Sequence, residues 1–117
     1  MKKFIAIAML ILLPIQAQAA VTYYSGNRLV ELMREYDKFE VKDPNTSYDD
    51  VGAYQGYING VSDTLAALNL VCVSMSVTGG QEAAIVSKYL KLNPEQWGNS
   101  AASLVFTALV NAFPCKK

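Results

Sequence analysis

Across residues 48–68 six apolar side chains, Val51, Tyr54, Ile58, Val61, Leu65 and Leu68, recur at intervals of 3, 4, 3, 4 and 3. An α-helix puts such a series on one face, whereas a strand, with its period of two, would scatter it over both. A helix of this kind is marginal alone and must bury its seam against other helices. Ser47, with Asp50 three residues on, forms a variant capping box that marks its start. A second face carries Gly56, Gly60, Asp63 and Ala67 at i, i+4, i+7 and i+11. Glycine inside a helix costs about 1 kcal/mol relative to alanine, so Gly56 and Gly60 need a compensating role. Close packing by another helix is the expectation.

Three more helices follow from the same periodicity. Residues 25–39 place Leu29, Leu32, Met33 and Tyr36 on one face, and the polar stretch KDPNTS at 42–47 ends them in a loop. Thr78 with Gln81 is a second capping box, opening a helix to about Leu92 with Ile85, Val86 and Tyr89 inward. Asn93, Pro94 and Gln96 start a short turn that Gly98 and Asn99 break. The last helix, 100–113, carries Ala101, Leu104, Val105, Ala108, Leu109, Ala112 and Phe113 on a continuous face, and Pro114 stops it. The ambiguous stretch is NLVCVSMSV: its valines favour a strand and its neighbours are helical, so it reads as a buried connection with one short strand as the alternative. The fold class is all-α, a small bundle of four main helices.

The N-terminus bears on the two cysteines. Lys2 and Lys3, an apolar run over 4–15, and Ala17-Gln18-Ala19 read as a signal peptide, 1–19, cut after Ala19 to leave one domain, 20–117. The run is too short to span a bilayer; retention as an uncleaved anchor is the alternative. No cysteine follows the cut, which argues against a lipid anchor, and the longest later apolar run, 68–77, is broken by Asn69 and two serines. No membrane-spanning segment is therefore expected after cleavage. In an oxidising compartment such as the periplasm, Cys72 and Cys115 are most simply a disulfide. The loop it closes is worth roughly 4 kcal/mol on the chain-entropy account. Two free thiols, one acting as a nucleophile, would need a base, and the chain has no histidine.

Ten basic residues balance ten acidic ones, and loss of Lys2 and Lys3 leaves eight against ten. No basic stripe argues for nucleic acid or an anionic membrane surface. Without histidine there is no zinc set and no triad, and no catalytic, metal or cofactor-binding residue is assigned. Asp49 and Asp50 sit at a helix start, where negative charge complements the macrodipole. Asp63 would need a partner to act as an acid or base, and a structural role is the simpler reading. Gly79-Gly80 lacks the lysine and spacing of a phosphate loop and reads as a helix-entry turn. The chain is not expected to be an enzyme.

The blocks GYINGVSD (56–63), VTGGQEAAIVSKYLKLNPEQ (77–96) and SAASLVFTALVNAFPC (100–115), with SGNRL at 25–29 and Cys72 between, resemble the Rap/Tai family of type VI secretion immunity proteins. The resemblance implies an all-helical periplasmic protein, often a homodimer, that binds and blocks a peptidoglycan amidase injected by another cell. It carries over residue by residue to Cys72 and Cys115. Where many members have a second cysteine pair, this chain has Met33 and Tyr54, so packing is expected to replace that crosslink.

An inhibitor presents a rigid feature to a cleft, and binding hot spots favour tryptophan, tyrosine and arginine. Trp97, the sole tryptophan, lies with Gln96 and Asn99 in a polar stretch off any helical seam, which makes it the first partner-binding candidate. The alternative is that Trp97 folds back over the core between the last two helices. The second candidate is the 73–79 loop, with Met75 and Ser76. The competing function class is a periplasmic stress chaperone of the Hde kind, whose spacing the chain lacks; light scattering with an aggregating client at low pH separates the two.

Overall fold

The structure, a computed structural model, describes residues 23–116, so the signal peptide and its cut after Ala19 lie outside the described residues. It contains α1 (Gly26–Glu40), α2 (Tyr48–Ala67), α3 (Gly79–Leu92) and α4 (Ala101–Ala112), with a 3-10 turn at Pro94–Gln96. Among the described residues there is no strand; Ser25 and Ser100 form one isolated antiparallel bridge. The connection 70–77 forms no strand: it is irregular through 71–74 and turns at 75–76. None of the described helices is long and apolar enough to cross a membrane.

Each helix starts on a hydroxyl cap. The side chains of Ser25, Ser47, Thr78 and Ser100 accept from the backbone N–H groups of Arg28, Asp50, Gln81 and Ser103. The Thr78 box is complete, because Gln81 Oε1 also accepts from Thr78 N–H at 2.7 Å. The Ser47 box is half formed: the Asp50 carboxyl turns away to Arg28 at 3.1 Å. α1 and α2 end alike, with Lys42 (φ 58°) and Asn69 (φ 56°) in the left-handed region. There Asp43 N–H donates to Lys38 O and Leu70 N–H to Leu65 O, each 2.9 Å, which closes orphan carbonyls and reverses the chain.

The α1 and α4 faces are largely as the spacing predicts, with Leu29, Leu32, Met33 and Tyr36 meeting Ala101, Leu104, Val105, Ala108 and Leu109 in one core; Ala112 is exposed and Phe113 half-buried. Met33 and Tyr54 are both buried. The Tyr54 hydroxyl donates to Ala83 O at 2.9 Å, and its ring lies 5.0 Å from that of Tyr36. Burial pushes both phenols above their ordinary range.

Three expectations need correction. The inward face of α3 is Ala83, Val86, Ser87 and Leu90, with Ile85 and Tyr89 only half-buried, because small residues let α3 sit close against Tyr54. Leu68, last on the α2 seam, is 62% exposed, since the helix has already turned there. Among the described residues no helix packs on Gly56 or Gly60, where an added Cβ would meet nothing within 4 Å. They instead line an open apolar recess of about 630 Å³ between α2 and α4, with Tyr57, Val61, Ala102 and Phe106. Close approach occurs at Gly26, where a Cβ would collide with the carbonyl oxygens of Trp97 and Asn99 and come within 2.7 Å of Leu104 Cδ1.

Candidate partner-binding surface

The two stretches singled out for partner binding lie at opposite ends of α3. That helix has 14 residues, which at 1.5 Å per residue separates them by about 20 Å.

At the C-terminal end, Pro94–Gln96 folds Trp97 back onto the body of the protein. The indole Nε1–H donates to Leu90 O at 2.8 Å, the ring packs against the core, and the Arg34 guanidinium lies 5.8 Å from its centroid. Indole has one donor, and here it is spent on the chain itself. Gln96 and Asn99 are likewise engaged with each other, Asn99 Nδ2 donating to Gln96 Oε1 at 2.8 Å. The backbone carbonyls of Trp97 and Asn99 sit on Gly26, so this turn clasps α1 to α4. The fold-back arrangement is the one observed.

At the N-terminal end, Val77 N–H donates to Ser74 O at 3.0 Å, a reverse turn with Met75 and Ser76 as its central residues. The Ser74 and Ser76 hydroxyls bond each other at 2.9 Å, tightening the turn, and the Met75 side chain is fully exposed. The turn is fastened on both sides. Upstream, Val71 is buried, Cys72 N–H donates to Phe113 O at 3.0 Å, and Cys72–Cys115 closes a disulfide with a sequence separation of 43 and a Cα–Cα distance of 4.9 Å. Downstream, the Thr78 box fixes the start of α3. Leu68 and Leu70, both exposed, precede it on the same connection. The result is a short, braced turn with an apolar tip. The disulfide frames this turn alone, since Trp97 stands at the far end of both α3 and α4. The sequence singles out Met75 by its place between two serines, whereas the exposure of Leu68 was hidden by a seam drawn one residue past the end of α2.

A second exposed apolar group lies at the α1–α2 corner, where Phe39 and Tyr48 meet edge to face at 6.2 Å. Glu35 stands nearby and holds this corner together. It accepts from Lys38 Nζ at 2.6 Å and from Ser47 N–H at 2.8 Å, and these bonds, the lysine's first, pull its carboxyl below the ordinary range. Asp37 ties α1 to α3, accepting from Ser87 Oγ at 3.1 Å and Lys91 Nζ at 2.8 Å.

Compared with known proteins, residues 25–115 match the family model for Rap1a immunity proteins. No curated protein and no solved structure matches the chain significantly. The matched stretch opens on the serine that caps α1 and closes on the second cysteine of the disulfide, so it takes in every helix described above. The chain belongs to the Rap1a immunity protein family.

Proposed function

We propose that this chain is exported to the periplasm and there neutralises a secreted peptidoglycan amidase by seating the 74–77 turn in its cleft, with no turnover of its own. Family membership supplies the coarser part, immunity against a secreted effector. The amidase is what the family resemblance implies, and the compartment and the inhibiting turn are our reading of the residues.

The observation that carries it is the fully exposed Met75 on a turn braced by a disulfide and a capping box. Ordering a flexible side chain on binding costs about 0.5–1.5 kcal/mol. A turn already held by its own serines and by both flanks avoids much of that cost. Burying the methionine in a partner's cleft contributes about 1.5–3 kcal/mol, and its unbranched thioether adapts to an irregular pocket.

The test is protection. Cells given periplasmic amidase effectors, one at a time, are scored for survival with and without this chain carrying residues 1–19. Survival against one amidase, lost when residues 1–19 are removed, supports the reading. Lysis under every amidase would end it.

A further inference from the structure

Asp63, an acid without an evident partner in the sequence, faces a second acid in the fold. Asn59 and Asp63 stand one turn apart on α2, Glu82 lies in the first turn of α3, and together with Val77 and Gly79 they line a recess of about 290 Å³ beside the 74–77 turn. None of the three polar side chains has a hydrogen bond or ion pair with any described residue.

Glu82 is the telling member, because it is only 7% exposed. An acid in a helix's first turn is favoured by the macrodipole, and that needs no burial. The helix terminus therefore explains an acid at this position and does not explain why the residue as a whole is so little exposed. Every enclosed side-chain polar atom among the described residues has a bond and Glu82 makes none, so its carboxyl oxygens remain open to solvent, and Glu82 is among the residues that line the recess.

Asn59 is held in place from below. A Cβ on Gly79 would stand 2.8 Å from Asn59 Oδ1 and 3.0 Å from Nδ2, so the amide rests against the glycine at the start of α3. The recess thus offers two carboxyl groups and one amide oxygen, and no lysine or arginine lines it. The N–H groups of Gln81 and Glu82 are already taken by Thr78, so they are not available to an anion.

We infer that the recess formed by Asn59, Asp63 and Glu82 receives an arginine side chain of the protein partner, beside the turn that carries Met75. Charge complementarity selects a cation. The volume far exceeds a bare ion and suits a guanidinium, whose fork of five donors can serve two carboxyl groups and an amide oxygen together. The inference rests on the amidase-blocking reading only for the identity of the partner.

The experiment is an amide NMR titration of the folded protein with N-acetyl-arginine amide, with N-acetyl-citrulline amide and calcium chloride as separate arms. The expected result is movement of the Asn59 side-chain amide and the Gly79 N–H with arginine and none with citrulline, abolished in Glu82→Gln and Asp63→Asn. No movement, movement that survives both substitutions, or a larger response to calcium than to arginine would overturn the inference. Asp63 is exposed, so Asp63→Asn remains informative if Glu82→Gln fails to fold. Against an amidase that the wild-type chain inhibits, each substitution should weaken inhibition tenfold or more at unchanged melting temperature. Undiminished inhibition overturns the recess and leaves the amidase reading standing. If no amidase is inhibited, that reading falls while the arginine titration still decides the recess.

Discussion

Alanine at Gly26 and alanine at Gly60 should move stability in opposite directions. Gly60 lies inside α2 with open space where a Cβ would go. Gly60→Ala restores helix propensity at an exposed site and should stabilise by about 1 kcal/mol, with Gly56→Ala close behind. Gly26 is the first residue of α1, and its N–H donates to Asn99 O at 2.8 Å. A methyl there meets two backbone carbonyls and a leucine rather than the yielding tip of a side chain. Overpacking costs about 1–3 kcal/mol, and loss of the N–H bond adds about 1 kcal/mol. For a domain of this size 1 kcal/mol shifts the melting temperature by about 4–8 °C. Gly60→Ala should thus melt several degrees above wild type, and Gly26→Ala roughly 10 °C or more below it. Thermal unfolding followed by far-UV circular dichroism at two protein concentrations reads both. Wild-type melting of Gly26→Ala would refute the tight clasp between α1 and the Trp97 turn. A lowered, concentration-dependent melting of Gly60→Ala would show that a second copy covers the α2 face.

Further outcomes follow from the same contacts. Cys115→Ser opens a loop of 43 residues and should lower stability by up to roughly 4 kcal/mol, read as a shift of the urea midpoint. Trp97→Phe removes the bond to Leu90 O while keeping an aromatic ring; it should cost about 1 kcal/mol and leave protection of cells intact. Glu35 has its carboxyl pulled below the ordinary 4.5 in the fold, so the stability it confers is present above that value and disappears as pH falls through the lower folded one. Glu35→Gln should therefore flatten the fall in stability as pH drops below 4.5, measured by urea titration at each pH.

The helices were legible in the sequence because their signals were local. Ser47 and Thr78 with their partners three residues on, and the seam from Val51 to Leu65, each act within one or two turns. The phase of α3 was not legible. Ile85 and Tyr89 are more apolar than Ala83 and Ser87, and what rotates the helix is a contact from a distant residue, the Tyr54 hydroxyl on Ala83 O. Gly56 and Gly60 were read as packing sites and Gly26 passed unremarked, because a glycine records permission for close approach and not its occurrence. Trp97 left two arrangements open, and the bond between its indole and Leu90 decided between them. The acid that shares a recess with Asp63 was hidden for a similar reason: Glu82 belongs to a different helix, and only the fold brings it there.

The central claim is that the turn at Met75 blocks a secreted amidase, and the inhibition constant of Met75→Asp measures it most directly. The side chain of Met75 is fully exposed, so this substitution should leave the unfolding free energy within about 0.5 kcal/mol of wild type. Placing a charge where an apolar tip enters a cleft should raise the inhibition constant a hundredfold or more, measured as peptidoglycan hydrolysis by an amidase that the wild-type chain inhibits. Inhibition by Met75→Asp equal to that of the wild type would contradict the account.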